Sequence, residues 1–481
     1  MATGEQSFLA SIQNNIRGRP ISWEGAVRAK TITEADLKKI KSIDKVRKEQ
    51  RRQTIEGDVD SFVALLLGGD GAQSIFEAAA KRADIIHYML VLLGDMIDDM
   101  PTLTTALVQH PSPYQPFLPL LKNGDDPVPL LTSHVLTGLL SHAVTQSSKT
   151  RPQVDEAIPQ LYSYLSTLAK SSDAALQDIA VRFYSAVLRS TKARKAFWNQ
   201  RQETLNPLFE ILRTAAGAAR DTDSTLYGTN SVRSTDGGIS GGVGLQLLYH
   251  VLLVVWQLSF EGELVGDGLQ DDQDIVVLYT QLIRVSPKEK TTRLLLSTLV
   301  NLLTTNRQSL LPTAVLARLP ALLNSLKSRH LNDEDALQDL QTLNDLLEEY
   351  TKTQTTFDEY AAELQSGHLR WSPPHRNPTF WRENARRIIE ENKGELPRKL
   401  ADILSKGWEN DKQVLAIGCN DVACLVKEVP EKRQQLEKLG LKGRVMELMQ
   451  EPDESVRWES LRAVGEWLRY SFESKTELPV R

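Results

Sequence analysis

Apolar residues spaced for one face of a helix recur along this chain at offsets of 42 to 47 residues, and that recurrence limits the fold more than any other feature. Ile86-His87-Tyr88-Met89 through Leu93 overlays Ser133-His134-Val135-Leu136 through Leu140 at 47. A further shift of 44 places Val135, Leu139, Leu140 and Val144 over Ile179, Phe183, Tyr184 and Leu188. Leu247, Leu252, Val255 and Trp256 overlay Leu294, Leu299, Leu302 and Leu303 at 47; Val414, Cys419, Val422, Leu425 and Val426 overlay Val456, Leu461, Val464, Trp467 and Leu468 at 42. Apolar helical patterns overlay one another easily, so a single match means little. A series in one size range means a stack in which each helix pair buries its apolar face against its neighbours.

That period is the one armadillo and HEAT repeats use, so the expected fold is an all-α helical-repeat solenoid. Such a stack has a concave face suited to binding other proteins. Leu, Ala and Val dominate the blocks, and Pro152, Pro159, Pro207, Pro287, Pro312 and Pro320 read as punctuation between helices. Two interruptions divide the array. Residues 215–244, rich in Gly, Ser, Thr and Asp, read as a mobile loop inserted in one repeat. Residues 351–355, Thr-Lys-Thr-Gln-Thr, read as the linker between an N-terminal domain (1–350) and a C-terminal one (356–481). Near the start, Lys38, Lys39, Lys41, Lys45, Arg47, Lys48, Arg51 and Arg52 bunch around Ile40, Ile43, Val46 and Ile55, the pattern of a solvated amphipathic helix.

A chain of 481 residues is too long for one compact core, in keeping with two domains. The formal charge of −5 is spread evenly, with 36 basic and 40 acidic residues before position 355 and 21 and 22 after it. Neither part is basic enough to hold a phosphate backbone, so nucleic acid is not an expected partner. The two cysteines, Cys419 and Cys424, are not spaced as a zinc or redox pair. With no charged-then-apolar leader pattern at Met1, a reducing compartment, the cytosol, is expected. Leu245–Phe260 is strongly apolar but offers only about 16 helical residues where a bilayer needs about 20. Gln246, His250 and Gln257 also share one face, so a buried core helix is expected, with no membrane insertion.

Chemistry is hard to find. Lys149-Thr150 and Lys290-Thr291 lack the glycines of a phosphate loop, and neither a Gly-x-Ser-x-Gly elbow nor His-Glu-x-x-His occurs. His134 and His142 have no third ligand at metal spacing and read as residues of a partly polar groove. No cofactor, metal or catalytic residue is expected. The tryptophans are more informative: Trp371, Trp381, Trp408, Trp458 and Trp467 all follow position 355. Trp467 lies on an apolar stripe and reads as core. Trp408 stands in the polar segment Ser405-Lys406-Gly407-Trp408-Glu409-Asn410-Asp411-Lys412. There it reads either as an exposed anchor for a partner or as a side chain packed on a neighbouring helix.

From about residue 357 the chain resembles the regulatory H subunits of vacuolar-type proton-translocating ATPases. The resemblance rests on Phe357-Asp-Glu-Tyr360, Leu369-Arg-Trp-Ser-Pro-Pro-His375, Phe380-Trp-Arg-Glu-Asn384, Cys419-Asn-Asp421, Val429-Pro430, Leu439-Gly-Leu-Lys442, Met446-Glu-Leu-Met449 and Val456-Arg-Trp-Glu-Ser-Leu461. Ile21-Ser-Trp23 and Ile32-Thr-Glu-Ala-Asp36 resemble the family's opening. Read physically, Pro373 and Pro374 would fix an extended turn, Ser372 and Asn377 would supply helix-start acceptors, and Pro378 would open the next helix.

The resemblance implies a non-catalytic subunit of the soluble ATP-hydrolysing sector, needed by the assembled pump and inhibiting hydrolysis by the detached sector. It implies that the N-terminal domain binds the peripheral stalk formed by the E and G subunits, and that the C-terminal domain binds the cytosolic part of the membrane sector's large a subunit. In the detached sector, rotor or catalytic-hexamer subunits would take that place. The location implied is the cytosolic face of vacuolar or other endomembranes, and the cytosol after detachment. The inhibitory contact is carried over to Ser405, Lys406, Gly407, Trp408, Glu409, Asn410, Asp411 and Lys412. The alternative is a general armadillo-type adaptor or transport receptor, a class marked by Trp and Asn at regular intervals along the inner helices.

Overall fold

A computed structural model describes residues 8–69, 71–146, 152–217, 243–286, 288–327, 331–353, 355–409 and 411–473. Of the described residues 80% are helical and none forms a strand, and the chain is an all-α, armadillo/HEAT-like helical-repeat protein. It divides into two compact units: residues Met1–Leu212 with Gly242–Glu261, and Arg213–Gly241 with Gly262–Arg481.

In the first unit the apolar periodicity becomes a ladder. Helix Ala83–Asp99 packs on Val128–Gln146, which packs on Ala174–Val187, which packs on Leu245–Ser259. Val135, Leu136, Leu139 and Leu140 are fully buried, as are Ala180, Val181, Tyr184 and Val187 one repeat later. Tyr162, Tyr184 and Phe197 fill the space between helices edge to face, at centroid separations of 4.9–5.6 Å. Leu245–Ser259 is indeed a core helix. Its polar face bonds to the neighbouring helix Ala174–Val187: His250 Nδ1 lies 2.6 Å from Asp178, and Gln257 donates to the Ser185 carbonyl at 3.0 Å. No single described helix is long and apolar enough to cross a membrane. His134 and His142 share helix Val128–Gln146 but face different partners, Asp98 at 4.0 Å and Thr105 at 2.9 Å.

Several local expectations need correction. Pro159 and Pro312 lie inside helices Pro152–Ala169 and Arg307–Leu316, where each forfeits a backbone hydrogen bond. Burial of Ile158, Leu161 and Tyr162, or of Leu310, Leu311 and Ala314, offsets that loss. Pro152, Pro207 and Pro320 do open helices, whereas Pro287 lies outside the described residues. The basic cluster forms two helices, Glu34–Ile43 and Lys48–Glu56, because Lys45 turns left-handed between them (φ +54°). Most of the 215–244 segment, residues 218–242, also falls outside the described residues.

The second unit continues the pattern. Glu289–Thr305 packs on Glu334–Thr353, and Lys412–Glu428 packs on Glu454–Glu473. The expected linker is mostly helical: Glu334–Thr353 runs through Thr351-Lys352-Thr353, and Thr355 already caps the next helix. Its hydroxyl accepts from Asp358 N–H while the Asp358 carboxylate accepts from Thr355 N–H, a reciprocal cap that outweighs the modest helix propensity of the threonines.

Candidate functional site

The expected partner-binding segment 405–412 is a tight turn whose framework is one indole. Helix Glu395–Ser405 ends at Ser405, whose hydroxyl donates back to the Asp402 carbonyl at 2.7 Å. Lys412 is already the first residue of helix Lys412–Glu428. Trp408 corrects the reading of an exposed anchor: it is 1% exposed and belongs to the core of the second unit. Its Nε1–H donates at 2.7 Å to the Ile403 carbonyl in the last turn of the helix, which also accepts from Lys406 N–H at 3.3 Å. His368 stands edge-on to the ring at 5.9 Å, and Lys406 lies over it at 5.6 Å. To bring the indole inward the backbone is left-handed at Trp408 (φ +46°), a conformation that costs a non-glycine residue about 1–2 kcal/mol. Burial of so large a side chain overrides that cost.

The turn is closed on its far side by Lys412. Its ammonium donates to the Gly407 carbonyl at 3.0 Å and pairs with Glu451 at 3.2 Å. Asp411 is half-buried, and its N–H donates to the Trp408 carbonyl at 3.2 Å. Asn410 lies outside the described residues. What the turn offers to solvent is therefore Ser405, Lys406, Gly407 and Glu409. Beside it is a cleft of about 690 Å³ lined by Lys406, Trp408 and His368 on one wall and by Asp267, Asp271 and Asp274 on another. His368 Nε2 and the Asp274 carboxylate are 3.2 Å apart there. Beneath the turn, Gly418 lets Leu404 approach its helix closely: a Cβ on Gly418 would lie 2.7 Å from Leu404 Cδ2.

A second feature escapes sequence reasoning. His375, in the Trp-Ser-Pro-Pro-His stretch, is fully enclosed between two carboxylates. Its Nδ1 is 2.7 Å from Asp421 and its Nε2 is 3.0 Å from Glu363. Ionised carboxylates only accept, so both ring nitrogens must donate and the ring is an imidazolium. Burial alone would push His375 down, but Asp421 and then Glu363 outweigh it and hold the group up at about 10. Burial pushes the Asp421 carboxyl up, against the pull of His375. Arg370, with Nε 3.5 Å from Glu363 and Nη2 3.4 Å from Glu359, supplies a second positive charge that the two glutamates share. It ties helix Thr356–Ser366 to the short helix Pro373–Arg376 and to Lys412–Glu428. Pro373 and Pro374 thus begin a turn of helix, not an extended segment, which swings His375 inward. Asn377 does cap the following helix, donated to by Thr379 N–H at 3.0 Å, whereas the Ser372 side chain makes no cap bond.

The linkage has a definite sign. The His375 pKa is raised in the fold, so its stabilising contribution is fully present below about 6.5 and is lost as pH rises through about 10. Thermal melts between pH 7 and 11 should show a steeper alkaline loss for the native chain than for His375→Gln.

Trp381 and Trp467 are buried, and Trp371 is half-buried with the Arg376 guanidinium 4.8 Å from its ring centroid. The thiols of Cys419 and Cys424 are both pushed up to about 12 by burial, so they are poor nucleophiles. Among the described residues no group of three or more His, Cys, Asp or Glu side chains is placed to hold a metal.

Comparison with known proteins agrees with this picture over nearly the whole chain. The two family models for the V-ATPase H subunit match residues 7–347 and 353–472. The V-type proton ATPase H subunit of Drosophila melanogaster is 27% identical, over 97% of this chain and 91% of its own. A probable V-type proton ATPase H subunit of Oryza sativa is 27% identical over 93% and 94%, and one of Caenorhabditis elegans is 26% identical over 94% and 92%. With helical repeats among the described residues and the two family models matching 7–347 and 353–472, this chain belongs to the V-ATPase H-subunit family.

Proposed function

We propose that this chain is a non-catalytic regulatory subunit that the assembled proton pump needs and that restrains ATP hydrolysis when the soluble sector is detached. Residues 1–350 would grip the peripheral stalk formed by the E and G subunits. Residues 356–481 would hold the cytosolic part of the membrane sector's a subunit in the assembled pump, and a rotor or catalytic-hexamer subunit in the detached sector. The place of action would be the cytosolic face of an endomembrane, or the cytosol after detachment. A rotary motor stops when a rotating element is tied to a stationary one, and a stiff array held on the stator can supply that tie. Which partner is held follows from the difference in binding free energy between the two states, with flexure near the 351–355 junction permitting the exchange.

The observation that supports the reading is the 405–412 turn, which offers Lys406 and Glu409 to solvent on a frame fixed by a buried indole. Because Trp408 is structural, the informative variant keeps it and reverses the outer charges. Lys406→Glu with Glu409→Lys should raise hydrolysis by the detached sector severalfold while recovery of the E and G stalk subunits stays unchanged. Unchanged hydrolysis when the variant is saturating would remove the turn from the mechanism.

A further inference from the structure

The last described helix, Glu454–Glu473, buries only one face. Val456, Ser460, Ala463 and Trp467 point inward against Lys412–Glu428. On the opposite face Trp458 is 68% exposed and Leu461 and Leu468 about half exposed, with Gly465 between them. These positions are three, seven and ten residues apart, a single stripe on a helix.

The repeat itself explains the stripe. At the offset of 42, Trp458, Leu461, Gly465 and Leu468 fall on Ala416, Cys419, Ala423 and Val426 of helix Lys412–Glu428, and all four of those are buried. The earlier helix is covered on several sides, by Pro378–Glu390, Glu395–Ser405 and Glu454–Glu473. Helix Glu454–Glu473 thus repeats on its outer face the apolar pattern of a covered helix, and a Cβ built on Gly465 meets nothing within 4 Å, leaving space for close approach.

Charge says what kind of helix fits. Arg462 and Arg469 flank the stripe and are 42% and 60% exposed, while their carboxylate partners Glu459 and Glu466 are only 15% and 20% exposed. Beside Leu461 and Leu468 the exposed charge is therefore positive, and exposed Glu454 marks the N-terminal end of the stripe. A second copy of this chain on the same stripe would oppose arginine to arginine. Residues 474–481 carry Lys475 and Arg481 against Glu477 alone, and include Pro479, so they match the face poorly. We infer that the Trp458–Leu461–Gly465–Leu468 face seats one amphipathic helix of another polypeptide, with carboxylates flanking its apolar stripe. This seat is separate from the 405–412 turn and does not depend on its role.

The test uses the full chain and two labelled synthetic helices of about five turns, identical in leucine stripe, one flanked by glutamates and one by lysines. By fluorescence anisotropy the glutamate peptide should bind at least about tenfold more tightly than the lysine peptide. The variant W458A/L461A/L468A should weaken it by a similar factor while its melting curve matches the native one, since these side chains are exposed. Equal affinity for the two peptides, no binding of either, or unchanged binding to the variant overturns the inference. So does sedimentation showing self-association that the triple variant abolishes, or binding that emerges only after residues 474–481 are removed.

Discussion

Replacing His375 by alanine should destabilise the second unit by about 3–5 kcal/mol, because it strips the enclosed Asp421 of its counter-charge and leaves Glu363 with Arg370 alone. The side chain is not worth that much in itself. A buried ion cluster sacrifices hydration on every member, and its favourable Coulomb energy mostly balances that loss. The large number comes from breaking the set unevenly. The same reasoning gives a second arm: adding Glu363→Gln and Asp421→Asn to His375→Ala removes the stranded charge and should recover at least half of the loss. The measurements are the denaturant midpoint and hydrogen-exchange protection in helix Lys412–Glu428, which carries Asp421. A single substitution that leaves both unchanged would mean that the ring is neutral and the cluster slack.

Trp408→Ala should have an effect of similar size, about 3–5 kcal/mol for truncating a buried aromatic side chain. Its signature should be different. The indole closes the end of helix Glu395–Ser405 and holds the turn in its left-handed bend, so the loss should concentrate in residues 403–412. If the turn carries the inhibitory contact, Trp408→Ala should relieve inhibition although the indole is enclosed and touches no partner. Trp408→Phe keeps most of the burial and removes only the bond to the Ile403 carbonyl, a loss of about 1 kcal/mol. It should retain inhibition. Hydrogen exchange together with an ATPase assay of the detached sector separates the two variants, and full inhibition by a locally melted Trp408→Ala turn would contradict the proposed contact.

The helices were legible because a repeat writes its packing into local spacing. Val414 and Val456, or Leu425 and Trp467, are both apolar at the same offset and both buried. Thr355 and Asp358 make a cap that sequence alone suggests, yet Thr-Lys-Thr still read as a linker because propensity ignores the packing that extends helix Glu334–Thr353. The limits of the 405–412 turn were legible from its polar residues, but the inward course of Trp408 was not. Its surroundings come from His368, some 40 residues earlier, and from the carbonyl of Ile403, neither visible in a polar window. The His375 cluster was hidden for the same reason: Glu363 and Asp421 stand 12 and 46 residues away, on separate helices. One signal was available, a histidine directly after two prolines and between Trp371 and Trp381, where an unpartnered buried ring would be costly.

The missing methyl at Gly418 has a consequence for how the turn stands. Helices Glu395–Ser405 and Lys412–Glu428 come within contact at Leu404 only because nothing projects from that one position. The turn is the strap between their facing ends, so its height above the second helix is set by this spacing as well as by the indole of Trp408. A shim one carbon thick, Gly418→Ala, would lift Leu404 and tilt the whole strap without altering any of its exposed residues. The placement of the turn's exposed residues is thus governed from the inside, and variation at such a concealed position would shift that placement while the exposed residues stay the same.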